Sequence, residues 1–302
     1  MKKKVIIVAG PTASGKSALG LEIATKTNGV IINCDSMQIY RELPILTAQP
    51  SEVEMGEIEH RLYGVMLGSQ ACSVGYWREL AVMEIERAFA LGKQPIILGG
   101  TGLYIRALME GLSKIPEVSK QHRFEATTTY DQIGPEGLID KIGEISPDSA
   151  KQLGFNDRQR IIRAWEVILA TGRGLSEWQK QNPPKAEEGY VFRTVLVSPP
   201  REELYARCDK RFELMVGQGA LAEVEALLAM KIEPSLPVMR AIGVPEIRSY
   251  LEGIVGYQEM VALAQQSTRR YAKRQLTWLR NQTDYEIKLQ SSDQFHSYIA
   301  KI

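Results

Sequence analysis

The hydrophobic pattern opens with a continuous apolar run, Val5-Ile6-Ile7-Val8-Ala9, bounded by lysines before it and a glycine after it. A run this short and this rich in β-branched residues predicts a strand covered on both faces. Helical spacing follows over residues 18–27. The next run, Gly29-Val30-Ile31-Ile32-Asn33-Cys34-Asp35-Ser36, predicts a second central strand that ends in Asp35. Residues 37–50 have little periodicity and contain Pro44 and Pro50, which predicts a loop. Trp77, Leu80, Ala81, Ile85, Ala88 and Phe89 make one stripe of a helix over residues 77–91, a core stripe. Pro95-Ile96-Ile97-Leu98 then runs as a buried strand into Gly99-Gly100-Thr101-Gly102 and a helix over residues 103–112. Strands alternating with helices in this way predict a parallel sheet.

Near Ser113 the pattern changes. Pro116 interrupts it, strand-like runs disappear, and short amphipathic segments continue to Pro183-Pro184. The clearest of these is a helix over residues 156–169, with Asn156 or Asp157 as cap and Ile161, Ile162, Trp165, Ile168 and Leu169 turned inward. Arg158, Arg160 and Arg163 gather in its first turns, where they oppose the helix dipole, so they suggest either an anionic partner or a solvated charged face. Strand character returns over residues 190–198. Helices follow over 202–216, 220–230, 245–252 and 258–280, and a last strand over 285–289. The predicted organisation is a core in two parts, residues 1–113 and 190–302, interrupted by a helical insertion at 114–189.

The chain has 302 residues and a formal net charge of +1, so any nucleic-acid partner has to be held by local basic patches. Candidate patches are Arg201, Arg207, Lys210 and Arg211, and the run Arg269, Arg270, Lys273, Arg274 and Arg280. Cys34, Cys72 and Cys208 are widely spaced and lack a C-x-x-C, which argues against a disulfide framework or a zinc site. His60, His122 and His296 are equally scattered and share no ligand spacing. The apolar run after the lysines is too short for a signal peptide, and no run approaches the roughly 18 residues of a membrane span. The expectation is a reduced cytoplasm and no membrane.

The chemistry lies in Gly10-Pro11-Thr12-Ala13-Ser14-Gly15-Lys16-Ser17, which fits the phosphate-loop template at every fixed position and has the strand before it and the helix after it that the template requires. Backbone N–H groups of such a loop point at phosphate oxygens, the lysine reaches the outer phosphate, and the serine hydroxyl serves Mg2+. The fold class that follows is α/β, a P-loop NTPase-like parallel sheet core flanked by helices, with an all-helical insertion domain. Asp35, at a strand's carboxyl end, belongs beside the loop, although it or Ser36 equally suits the cap of a turn. Thr101 follows two glycines at a predicted helix N-terminus, either near phosphate or as an N-cap. No aspartate ends the strand before Thr101, which weakens an ordinary NTPase reading. On the residues alone a small-molecule or nucleoside kinase and a non-catalytic RNA-binding protein both remain open.

Taken together, these residues resemble the bacterial tRNA dimethylallyltransferases. The resemblance is carried by residues 10–17, Asp35-Ser36 with Gln38-Ile39-Tyr40, Thr47-Ala48 and Pro50, and Gly99-Gly100-Thr101-Gly102-Leu103-Tyr104. It continues through Asn156-Asp157 with Arg160-Ile161-Ile162-Arg163-Ala164, Arg240-Ala241-Ile242-Gly243, and residues 268–280, in the family's order over nearly the whole chain. The chain departs from the family at Gln49 for the usual lysine, at Val244-Pro245 for a Tyr-Lys pair, and at Arg158 for a proline. The resemblance implies transfer of a dimethylallyl group from dimethylallyl diphosphate to N6 of the adenosine 3′ of the anticodon, position 37 of tRNA, with release of diphosphate. It implies that Gly10, Pro11, Thr12, Ala13, Ser14, Gly15, Lys16, Ser17 and Arg211 hold the diphosphate, Ser17 together with Mg2+. Asp35 would accept the N6 proton, and Thr101 would contact the target nucleotide. Asp35, Ser36, Met37, Gln38 and Thr101 would meet the flipped base, while Arg123, Gln159, Arg160, Ile161, Ile162 and Arg163 of the insertion would hold the anticodon stem-loop. A monomer is the expected state.

Overall fold

The structure is a computed structural model that describes residues 2–291 and residue 294, so His296 and most of the tail lie outside the described residues. The chain divides into two compact units, Met1–Met109 with Glu188–Ile302, and Glu110–Glu187. The boundaries expected from the sequence are 113/114 and 189/190, against 109/110 and 187/188 for this division. In the first unit β1 (Lys3–Ala9) leads through the glycine loop into α1 (Lys16–Thr27), β2 (Gly29–Asn33), a turn-rich segment, α2 (Glu52–Met55), β3 (His60–Arg61), α3 (Val74–Ala90), β4 (Gln94–Gly99) and α4 (Gly102–Glu110). The second unit holds α5 (Lys120–Ile145), α6 (Pro147–Ala150), α7 (Arg158–Thr171) and α8 (Leu175–Gln181). The chain returns to the first unit with β5 (Tyr190–Val197), α9 (Arg201–Gly217), α10 (Ala220–Ala229), a 3-10 turn at Pro237–Arg240, α11 (Val244–Leu251), α12 (Tyr257–Gln282) and β6 (Ile287–Leu289).

The strands form one sheet in the order β3-β2-β4-β1-β5-β6, and every pairing is parallel. Successive residues of β1 point to opposite faces, and both faces are covered. Val5, Ile7 and Ala9 pack with Trp77, Ala81 and Ile85 of α3, while Ile6 and Val8 pack with Leu19 and Ile23 of α1. That double covering is why the run is unbroken in apolar residues rather than alternating. Each buried aliphatic side chain contributes about 1.5–3 kcal/mol relative to exposure.

One segment differs from expectation. Residues 37–50 form turns, but they pack into the core: Ile39, Tyr40, Leu43 and Leu46 are buried. Polar side chains order the backbone there, Glu223 accepting from Ile45 N and Leu46 N, and Gln38 Nε2 donating to the carbonyls of Thr47 and Ala48. The insertion is built on short helical segments, the first stretch being two helices that meet at a kink. α5 runs for 26 residues with a break at Gly134, whose φ of 74° lies just before Pro135. Ala126, Leu138 and Ile142 of α5 pack with Ile161, Ile162, Trp165 and Ile168 of α7 as the unit's own core. Ile161 and Ile162 are therefore corrected as RNA contacts: their side chains are buried and hold α7 to α5.

Candidate functional site

Because the sheet is parallel, the carboxyl ends of β1, β4 and β2 open along one edge, with Ala9 level with Gly99 and Asn33 level with Leu98. Gly10 and the loop continue from β1, Thr101 from β4, and Asp35 from β2. This is the edge where open α/β sheets keep their sites. The loop reaches α1 through Gly15, at φ 90°, a left-handed conformation that a side chain would strain. Lys16 Nζ curls back to donate to Pro11 O at 3.2 Å. Ser14 is buried, and its hydroxyl has no hydrogen-bond partner among the described residues. A buried unpaired donor is costly, and a phosphate oxygen would satisfy it. From α9, Arg211 Nη1 donates to Thr12 Oγ1 at 3.1 Å, and Arg207 Nη1 lies 3.5 Å from Ser14 O. The resemblance alone pointed to Arg211; the structure brings it to the loop.

Charge is concentrated here. Burial of the Lys16 ammonium lowers its pKa to about 8, against which the Asp35 carboxylate raises it, while Arg211 lowers it further. Burial also lowers Arg211, and Asp35 opposes that shift. Tyr63 and Tyr271 are both pushed up, first by burial and then by the Asp35 charge. The Asp35 charge thus acts on Lys16 and Arg211 at the loop and on Tyr63 and Tyr271. Two half-buried cations that share the Asp35 charge favour an anion beside them.

Asp35 is held as a turn residue as well as a site residue. Its N–H donates to Asn33 Oδ1 at 2.8 Å, and its Oδ1 accepts from Met37 N at 2.9 Å. Asn33 is fully buried and also donates to Leu62 O at 3.0 Å, so the turn is locked from beneath. With Oδ1 engaged, Oδ2 is the lone-pair donor an incoming N–H can use. Thr101 Oγ1 accepts from Ser36 N at 3.0 Å and donates to Ser36 Oγ at 3.4 Å, while Thr101 N donates to Cys34 O at 3.2 Å. Thr101 therefore ties the β4 end to the β2 end. The glycines before it admit the protein's own groups: a Cβ on Gly99 would stand 2.2 Å from the Cys34 carbonyl, and one on Gly100 2.5 Å from Gln275 Nε2. Ser36, Met37 and Gln38 are all partly accessible, but the Gln38 amide nitrogen is spent on loop carbonyls and cannot donate to a base at the same time. Ser17 presents an exposed hydroxyl in the first turn of α1. Among the described residues no group of three or more His, Cys, Asp or Glu could hold a metal. A lone hard oxygen still suits Mg2+, which takes most of its ligands from water and phosphate.

In the insertion, Arg123, Gln159 and Arg160 are exposed and Arg163 is partly buried. The arginines of α7 have local acidic partners: Arg158 with Asp131, Arg160 with Asp157 at 3.1 Å, and Arg163 with Glu166 at 2.6 Å. Asp157 is the N-cap of α7, its side chain accepting from Arg160 N, and it offsets the unfavourable arginines. On α12, Arg269 is paired with Asp209 and so leaves the basic stripe; Arg270, Lys273 and Arg274 remain exposed and line a cavity of about 450 Å³ with Thr277 and Trp278. Sequence reasoning passed over Asn33, Tyr271 and Gln275 as individual site residues. The signal for Asn33 was its polar identity at the end of an otherwise apolar strand.

A family model described as IPP transferase matches residues 38–282, and one described as isopentenyl transferase matches residues 3–71. A tRNA dimethylallyltransferase of Granulibacter bethesdensis is 48% identical over 93% of this chain and 88% of its own length. Among solved structures, a full-length tRNA isopentenylpyrophosphate transferase from Bacillus halodurans aligns with TM-score 0.70 and 31% identity, over 100% of this chain and 96% of that one. A eukaryotic dimethylallyltransferase acting on tRNA aligns with TM-score 0.83 and 26% identity, over 99% of this chain and 77% of that one.

Proposed function

The chain belongs to the IPP transferase family, and from that premise we propose that it transfers the dimethylallyl group of dimethylallyl diphosphate to N6 of the adenosine 3′ of the anticodon, position 37, in tRNA. The observation that supports this reading is that the parallel strands β1, β4 and β2 carry the phosphate loop, Thr101 and Asp35 at their carboxyl ends along one edge of the sheet, where the Thr101 hydroxyl bonds Ser36 N and Arg211 bonds Thr12 of the loop. A kinase reading has no such use for Asp35, and the relatives named above are transferases of this other kind.

The diphosphate sits in the loop of residues 10–17, where backbone N–H groups, the Ser14 hydroxyl, Lys16 and Arg211 take up charge on the departing group. A Mg2+ ion held by Ser17 would supply further neutralisation of the leaving diphosphate. Nitrogen N6 forms its bond to C1 of the allyl group as the C1–O bond breaks, and the electron pair of that bond leaves with diphosphate. The N6 lone pair is delocalised into the adenine ring, so the nitrogen becomes nucleophilic as its proton is taken, and Asp35 Oδ2 accepts it. Thr101, fixed by its bonds to Ser36 and Cys34, orients the nucleotide against the diphosphate side. The adenosine has to leave its stack, at a cost of a few kcal/mol that an unpaired loop keeps small. The exposed Arg123, Gln159 and Arg160 of the insertion, with Arg163, meet the stem-loop phosphates. The enzyme works as a cytoplasmic monomer in this reading; no helix of the described residues is long and apolar enough to cross a membrane.

Incubation with dimethylallyl diphosphate, Mg2+ and unmodified tRNA should yield prenyl-adenosine and diphosphate in equal amounts. A parallel incubation with ATP should transfer no phosphoryl group; phosphoryl transfer without prenylation would overturn the proposal.

A further inference from the structure

α12 turns one stripe toward the site. Gln275 lies against Gly100, and Trp278 packs against Gly102, where an added Cβ would stand 1.8 Å from the indole ring. Gln275 is the polar member of this stripe that is buried, at 6% exposure, and both ends of its amide are used. Its Oε1 accepts from Thr12 N at 2.9 Å, and its Nε2 donates to Gly100 O at 3.1 Å. The orientation of the amide is unambiguous, because a backbone N–H only donates and a carbonyl only accepts.

The two partners belong to different walls of the site. Thr12 lies in the phosphate loop and carries the hydroxyl that Arg211 contacts; Gly100 immediately precedes Thr101. One side chain therefore spans the leaving-group side and the nucleotide side. We propose that Gln275 is a positioning residue for prenyl transfer, fixing the spacing between the phosphate loop and the Thr101 turn so that the allyl carbon lies in line with the attacking nitrogen. It acts through Thr12 N and Gly100 O and touches no substrate atom. The proposal deepens the prenyl-transfer reading and rests on it. Geometry of this kind governs rate steeply, since a misplacement of about 1 Å can cost roughly a hundredfold.

The test uses the full chain. Gln275→Met keeps length and burial but removes both polar ends. It should lower kcat for prenyl transfer at least about tenfold and weaken binding of Mg-pyrophosphate about tenfold, with affinity for an unmodified anticodon stem-loop unchanged. Gln275→Glu keeps the acceptor for Thr12 N but sets a carboxylate against Gly100 O. Protonation restores the missing donor, so its rate relative to the wild type should rise as pH falls from about 8 to about 6. A packing role alone would not produce that pH signature. Unchanged kcat in Gln275→Met, or a rate ratio in Gln275→Glu that stays flat with pH, would overturn the proposal. If Gln275→Met fails to fold, the Gln275→Glu series decides alone. The pyrophosphate arm needs no prenyl chemistry, so a wild type that binds Mg-pyrophosphate yet forms no prenyl-adenosine would sink the functional reading and leave the brace to be judged by affinity.

Discussion

The two units hold their candidate functional residues in opposite ways. In the α/β unit the chemistry sits on strand ends and glycine turns, and each reactive group is fixed by part-buried hydrogen bonds, most of them involving a backbone group: Asp35 by Asn33 and Met37, Thr101 by Ser36 and Cys34, the phosphate loop by Arg211 and Gln275. In the helical unit the candidate groups are side chains on exposed or half-exposed helix positions, and the arginines of α7 are each paired with a carboxylate of the same unit. The first arrangement suits bond-making, which needs geometry set before the substrate arrives. The second suits gripping a phosphate backbone, where charge matters more than exact placement and a surface pair can be exchanged for a phosphate at small cost.

If that contrast is right, substitutions in the two units should differ in kind and in size. The largest effect is expected at the cradle. Lys16→Met should weaken Mg-pyrophosphate binding roughly a hundredfold or more and leave stem-loop binding intact, as titration calorimetry with each ligand can show. A structural change in the insertion should come next. Ile161→Ala empties a buried site between α7 and α5 and should cost about 2–5 kcal/mol in denaturant unfolding, weakening stem-loop binding with diphosphate affinity unaltered.

A smaller effect is predicted from the Lys16 pKa, lowered to about 8 by burial. A depressed lysine is charged below that pH, at a cost to folding that shrinks as pH rises through 8 toward the unfolded value of 10.5. Bound diphosphate favours the charged form, so its affinity should fall with pH above about 8, by up to about tenfold per unit, and the Lys16→Met variant should lose that dependence. The smallest effect is expected at the surface arginines. Arg160→Gln or Arg163→Gln should weaken stem-loop binding several-fold and reduce the salt slope by about one, because each phosphate contact releases about one counterion. An unchanged slope would mean that these side chains keep their carboxylate partners in the complex.

The contrast also explains what could be read from the chain. β1, β2 and β4 were legible because strands buried on both faces leave unbroken β-branched runs, and the loop was legible because its chemistry is local. β3, of two residues at His60–Arg61, left no pattern to read. Ile161 and Ile162 carried two incompatible readings, inward-facing by periodicity and RNA-facing by resemblance, and the packing against α5 keeps only the first. Gln275 was invisible for a topological reason: its partners lie 263 and 175 residues away, and a buried glutamine looks like any other polar residue on an amphipathic helix until the sheet has brought those strand ends together.

The central claim is that one carboxylate in the phosphate-loop pocket takes the proton from adenine N6. Asp35→Asn preserves size and the turn to Met37 but cannot accept that proton. In single-turnover reactions with tRNA and dimethylallyl diphosphate both prebound, the account predicts a rate lower by at least about a hundredfold with both binding constants near wild type. A rate within a few-fold of wild type would contradict it.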